Sequence, residues 1–141
     1  MRLLYNPTQL TCNLTIGDWP ACSGIQKITG FSRGWHHWNS IRLGYNRSDG
    51  AKFVRLFMYA YVNGNRVIKM LGEFEVGKEL EVDMRWNRYN CLITLDQYYQ
   101  ALTHVSTKTL PIGYQLFPYA EIDGTEKRTP FNPDIRDLVV R

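Results

Sequence analysis

Glu79, Glu81 and Asp83 are the residues of this 141-residue chain whose types and spacing come nearest to acid–base chemistry. In an extended strand a spacing of two puts all three carboxylates on one face. Two carboxylates at a fixed separation, one protonated and one ionised, could cleave a glycosidic bond. Such a pair needs a cleft that drives the two acidities apart. The intervening Leu80, Val82, Met84 and Trp86 claim the opposite side for a core. Acidic residues on a solvated sheet face, where charge discourages aggregation, are the simpler account. No catalytic residue is therefore expected.

A second set suits binding. Arg42, Arg55, Tyr59 and Tyr61 fall on the non-core faces of two segments that read as neighbouring strands. Gln115, Phe117 and Tyr119 join them if the late strand shares that sheet. Aromatic rings give flat apolar area with a polar tip, and Arg or Gln supplies hydrogen bonds. That combination fits sugar rings or a protein partner. The competing account makes the aromatic side a second layer of core, because Phe53 and Phe57 prefer burial.

Metal and thiol chemistry find less support. Trp35-His36-His37-Trp38 invites a metal reading, but adjacent histidines point apart in an extended chain and no nearby Cys, Asp or Glu completes zinc ligation. A structural loop is expected there. His104 is alone, and no motif brings a histidine to Cys91. Glu121, Asp123, Asp134 and Asp137 offer oxygen ligands without the dense alternation of a calcium loop. No metal or cofactor is expected. Cys12, Cys22 and Cys91 are too few for a disulfide framework. Buried reduced thiols are the expectation, with a Cys12–Cys22 bridge as the alternative.

The elements that must position these groups are strands. In 39–45, Ile41, Leu43 and Tyr45 alternate with Ser40, Arg42 and Gly44. In 53–62, Val54, Leu56, Met58, Ala60 and Val62 alternate with Phe53, Arg55, Phe57, Tyr59 and Tyr61. Period-two alternation of β-branched and aromatic residues is the strand signature. Asn63-Gly64 then fits a tight hairpin turn, because both positions tolerate positive φ. Strands follow at 67–76 and, after Gly77-Lys78, at 79–86. Shorter candidates lie at 2–5, 10–16, 25–31, 91–95, 99–105, 113–122 and 135–140. Pro118 marks the late one as an edge or a bulge. About nine to eleven short strands without a helical period predict an all-β, antiparallel, jelly-roll-like sandwich over residues 1–141 as one domain.

Composition narrows the partners. A net charge of +4 comes from scattered Lys and Arg, so no nucleic-acid footprint is expected. No stretch approaches the ~20 apolar residues of a membrane helix. The first residues lack an apolar export segment. The expectation is a mature secreted chain, or one that needs no signal of its own, as a phage virion protein released by lysis would be.

The Arg42-Leu43-Gly44-Tyr45 strand, the Tyr61-Val62-Asn63-Gly64 hairpin and the Gly77-Lys78 turn before Glu79-Leu80-Glu81-Val82-Asp83 carry a resemblance. Together they resemble the concanavalin A-like lectin and glucanase sandwich, including laminin-G-like domains. The closing 131–140 segment looks like the terminal strand of such domains, which returns beside the N-terminal one. Through Gly113-Tyr114-Gln115-Leu116-Phe117-Pro118-Tyr119 the chain is also similar to small β-sandwich proteins of gut Bacteroidetes and their phages. Glycosidases of this class order their strand carboxylates Glu-x-Asp-x-Glu, whereas this chain reads Glu-x-Glu-x-Asp. The function expected is a non-enzymatic interaction module, first an accessory or decoration protein of an assembly such as a phage virion, with self-association into a homo-oligomer left open. The alternatives are a lectin-like carbohydrate-binding module and a degenerate glycoside hydrolase.

Overall fold

A computed structural model describes residues 2–105, 108–118 and 132–141. Eleven strands are present among them: β1 (Leu3–Tyr5), β2 (Gln9–Thr15), β3 (Cys22–Ser32), β4 (Asn39–Arg47), β5 (Phe53–Val62), β6 (Asn65–Glu75), β7 (Glu79–Trp86), β8 (Asn90–Leu95), β9 (Tyr99–His104), β10 (Ile112–Leu116) and β11 (Asp134–Val140). Every described pairing is antiparallel. They form a six-stranded sheet, β1-β10-β3-β4-β5-β6, and a five-stranded sheet, β11-β2-β7-β8-β9. The two sheets stack as a β-sandwich of the expected jelly-roll-like class. Among the described residues no helix is long and apolar enough to cross a membrane.

Alternation decides what lies between the sheets. Ile41, Leu43 and Tyr45 of β4 and Val54, Leu56, Met58 and Ala60 of β5 are sealed from solvent. Leu10, Cys12 and Leu14 of β2, Leu80, Val82, Met84 and Trp86 of β7, and Cys91, Ile93 and Leu95 of β8 are buried in the same core. Each fully buried Leu, Ile or Met side chain contributes about 1.5–3 kcal/mol. The five-stranded sheet is therefore apolar inward and polar outward, which is the simplest solution for an antiparallel layer.

Turns fall where their residues allow them. Asn63 and Gly64 take φ of 51° and 80°, the left-handed pair that a two-residue hairpin requires. Asp96 and Gln97 do the same between β8 and β9, at 52° and 59°. The non-strand segment 17–21 plugs one end of the core. Its Trp19 ring packs 4.9 Å from Tyr45, and the Tyr45 hydroxyl donates to the Pro20 carbonyl at 3.1 Å. Arg47 holds the plug by donating to the carbonyls of Trp19 at 2.9 Å and Ala51 at 2.6 Å, and it also pairs with Asp18.

The strand bounds match the sequence expectation within three residues, except at β10. The expected 113–122 strand covers only Ile112–Leu116, with Phe117 and Pro118 outside it and the rest beyond the described residues. As the resemblance implies, β11 lies beside an N-terminal strand, β2.

Cys12, Cys22 and Cys91 are buried free thiols, so the Cys12–Cys22 bridge is absent. Burial pushes the Cys12 and Cys91 thiols up to about 12. Little of either is thiolate near neutrality, and the thiolate is the reactive form. Native protein treated with iodoacetamide at mildly alkaline pH is expected to keep Cys12 and Cys91 unmodified, whereas unfolded protein takes up three labels by intact mass. Rapid native labelling at either residue would contradict a closed core. A Cβ at Gly30 would sit 2.1 Å from the Ile41 carbonyl oxygen and 2.8 Å from Arg42 Cα. Gly30→Ala should therefore cost about 1–3 kcal/mol in thermal or denaturant unfolding, the usual range for overpacking; an unchanged midpoint would mean that β3 and β4 separate freely.

Candidate ligand-binding face

The outer face of the six-stranded sheet is built in rows set by strand register. One row reads Ser32–Ser40–Tyr61–Arg66 across β3 to β6. The next reads Gly30–Arg42–Tyr59–Ile68, and the third Lys27–Gly44–Phe57–Met70. Directly opposed residues share a face, so these side chains form one continuous surface. The small residues on β3 and β4 leave room for the long ones. Gly30 is where a Cβ would stand 3.0 Å from Arg42 Cγ, and a Cβ on Gly44 would meet Ile25 at 2.5 Å.

Lys27 reaches this surface through an irregularity. Between Lys27 and Thr29 the β3–β4 register slips by one residue. Lys27 pairs with Gly44 on the outer face, while Thr29 pairs with Leu43 on the core face and Ile28 is fully buried. A β-bulge inserts one residue and so resets alternation. The Lys27 ammonium then lies 4.0 Å over the Tyr59 ring, a cation–π contact.

The tyrosines form a coupled pair. Tyr59 and Tyr61 meet edge to face at 5.9 Å. Burial works against ionising Tyr59, but hydrogen bonds from Tyr61 and Arg66 and the charges of Lys27 and Arg66 outweigh it, holding that phenol below the usual tyrosine range. Tyr61 moves up, chiefly because its hydroxyl bonds to Tyr59 and then because of burial. The Arg66 guanidinium is held on its proton by the same Tyr59 bond.

The loop after β3 closes over one end of the rows. Trp38 N–H and Asn39 N–H both donate to the Trp35 carbonyl, at 2.9 and 3.1 Å, and Ser40 Oγ donates to the His36 carbonyl at 2.7 Å. These bonds make residues 35–38 a turn. The sequence expectation that His36 and His37 diverge is corrected here, because a turn rather than an extended strand brings their rings to 4.2 Å. The Tyr114 hydroxyl accepts the His36 backbone N–H at 2.9 Å and lies 2.6 Å from His36 Nδ1. Burial, Arg42 and His37, in that order, hold the His36 proton affinity below the usual histidine range. Aromatic contact runs outward from here, with His37 5.5 Å from Tyr61 and Trp35 5.1 Å from His37.

Of the seven residues expected to bind, Arg42, Tyr59 and Tyr61 stand together in the middle of this face. Arg55 shares the face but turns away, donating to Asn46 Oδ1 at 2.6 Å and Ser48 Oγ at 3.2 Å near the β4–β5 connection. Gln115 is a correction. β10 does join the sheet, but its register sets Gln115 opposite Phe31 on the core side, and Leu116 opposite Gly30 on the outer side. Phe117 lies past the strand end and is exposed, and Tyr119 lies outside the described residues. The residues that sequence reading missed are Lys27, His36, His37, Arg66 and Tyr114. Arg66 alone was within reach, because the Asn63-Gly64 hairpin fixes its pairing with Tyr61.

The acidic trio sits on the other sheet. Asp83 accepts from Gln9 at 3.2 Å and from Arg85 at 3.1 Å, and Glu79 pairs with Arg136. Glu81 and Asp83 line an open groove of about 610 Å³ with Thr11, Asn13, Thr94 and Gln100. Asp134 and Asp137 are also engaged, Asp134 3.8 Å from Arg136 and Asp137 accepting from Asn13 at 3.1 Å, while Glu121 and Asp123 lie outside the described residues. Among the described residues no group of three or more His, Cys, Asp or Glu is placed to hold a metal ion.

The lowered His36 proton affinity has a consequence for stability. The unfolded chain takes up a proton near the ordinary value of 6.5, whereas the folded chain resists it. Stability at His36 is thus full above that pH and is lost as pH falls toward the lower folded value. Denaturant midpoints should drop between neutral and mildly acidic pH, and His36→Gln should shrink that drop. A His36→Gln profile parallel to wild type would remove His36 as its source.

No family model matches the chain, and no curated protein matches it by sequence. Solved structures do match by fold. An ancestral congerin is 10% identical over 100% of both chains, with a TM-score of 0.52. An alginate lyase from Pseudomonas aeruginosa is 11% identical over 97% of this chain and 65% of the lyase, with a TM-score of 0.66. A protein from a study of human gut microbiota endo-acting O-glycanases that initiate mucin breakdown is 12% identical over 99% of this chain and 56% of its own, with a TM-score of 0.52. The fold is the concanavalin A-like β-sandwich.

Proposed function

We propose that this protein is a non-catalytic glycan-binding module whose ligand lies across the outer face of the six-stranded sheet. One observation carries the reading: Lys27, Arg42, Tyr59, Tyr61, Arg66 and His37 meet in a single patch of that face. Pyranose rings present alternating C–H faces and hydroxyl edges. The part-exposed Tyr61 phenol and the exposed His37 imidazole match the first, beside a buried Tyr59, and ammonium, guanidinium and phenol groups match the second. Support comes from the company the fold keeps, since it is shared with an ancestral congerin, an alginate lyase and a protein tied to mucin breakdown.

A second reading, an accessory protein docked on a larger assembly such as a phage virion, is favoured by a different feature. Leu3, Tyr5 and Ile112 are 67%, 84% and 51% exposed and share the outer side of the β1–β10 edge. An apolar strip of this kind suits a protein partner.

A glycan array that includes alginate and mucin O-glycan fragments separates the readings. Retention of a glycan is expected, and Tyr61→Ala should weaken it by roughly tenfold, about 1.4 kcal/mol. Glu81→Gln, on the opposite sheet, should leave it unchanged. An empty array, with retention on a particle that Tyr5→Ser abolishes, would favour docking instead. Shortened alginate products that vanish in Tyr114→Phe would overturn the non-catalytic half, since His36 and Tyr114 already share a proton-bearing contact.

A further inference from the structure

Resting on the reading of the sheet face as a glycan site, we infer that the site continues over the 33–38 loop into a pocket between Trp35 and Trp38, so that the ligand is an oligosaccharide chain rather than a single terminal sugar. The pocket encloses about 410 Å³ and is walled by Arg33, Trp35, Trp38, Asn39, Thr109 and Leu110. That volume lies in the range of small-molecule sites, roughly 300–1,000 Å³.

Its walls are fixed before any ligand arrives. Gly34 turns the chain at φ +85°, where a Cβ would strike Leu110 Cδ1 at 2.9 Å. Gly34 N–H donates to the Ile112 carbonyl at 2.7 Å, and Arg33 N–H to the Asn39 carbonyl at 3.0 Å. The Arg33 guanidinium donates to Thr109 Oγ1 at 2.8 Å, the Pro7 carbonyl at 2.5 Å and Asn6 Oδ1 at 2.8 Å. Arg33 is thereby a buttress, with each of its three nitrogens donating to the protein. Trp38 rests on Gly64, where a Cβ would lie 2.8 Å from its ring. A preformed wall costs a ligand little ordering entropy.

Both indoles nonetheless face solvent, with Trp35 61% and Trp38 54% exposed. Two large rings held open beside an apolar Leu110 need flat apolar company that also tolerates water. A pyranose ring meets both demands. Continuity with the sheet face selects this occupant over a separate partner. From Trp35 the contacts step to His37 at 5.1 Å and from His37 to Tyr61 at 5.5 Å, with the buried Tyr59 5.9 Å beyond. A single sugar cannot touch both ends of that path, but a short chain can.

The test is a titration of the intact protein with size-graded oligosaccharides, using alginate-derived oligouronates of two to about eight units and the matching series of any glycan retained on the array. Affinity should climb by roughly tenfold or more from the shortest to the longest, the gain of one added ring contact. Trp35→Ala should flatten the climb while leaving the shortest ligands unaffected, and Trp35→Phe should restore part of it. Tyr61→Ala should weaken every length. A climb that persists in Trp35→Ala, with Tyr61→Ala still damaging, would overturn the pocket and spare the sheet-face site. Absence of binding at every length would remove both. A concentration-dependent dimer that Trp35→Ala dissolves would give the pocket to a second copy and overturn the inference.

Discussion

An antiparallel ladder offers each side chain two addresses, and in this sandwich one is already taken by the core. Ile41, Leu43 and Tyr45 cannot leave the inter-sheet layer without surrendering several kcal/mol of burial. Their neighbours Ser40, Arg42 and Gly44 are therefore held on the outer face whatever their own preferences. The same compulsion on β5 sends Tyr59 and Tyr61 outward beside Arg42. The candidate face is in this sense a by-product of core formation, and its geometry is as rigid as the core beneath it.

What occupies the two outer faces differs in kind. The five-stranded sheet presents polar and ionic side chains already engaged with one another, as Asp83 is with Arg85 and Gln9. The six-stranded sheet presents rings, with cations stacked on them or bonded to their hydroxyls. Charge pairs on an open face satisfy themselves and gain little from a visitor. Aromatic area left in water is a standing source of binding energy. That contrast separates the two faces as candidate binding surfaces.

The fold was legible because the strands of the central run keep a strict period of two and end in turn residues with the right φ preferences. Arg42, Tyr59 and Tyr61 were legible for the same reason. Three features were not. In β10 the apolar set Ile112, Tyr114 and Leu116 takes the outer side and Gln115 the core side, the reverse of what alternation implies, and only pairing with β3 decides. The approach of His36 to His37 depends on a turn closed by the Trp35 carbonyl, a backbone event that two adjacent histidines do not announce. Lys27 shares its parity with Phe31, and counting alone would bury it. Local pattern carries facing information only while the ladder is regular.

That last irregularity has an evolutionary edge. The extra residue at Ile28 is what puts an ammonium over a phenol and an isoleucine in the core. Sliding it a couple of places toward the start of β3 would swap the two, turning the hydrocarbon to solvent and the charge inward. Surface chemistry in such a sandwich thus depends on where a kink sits as well as on which residues flank it.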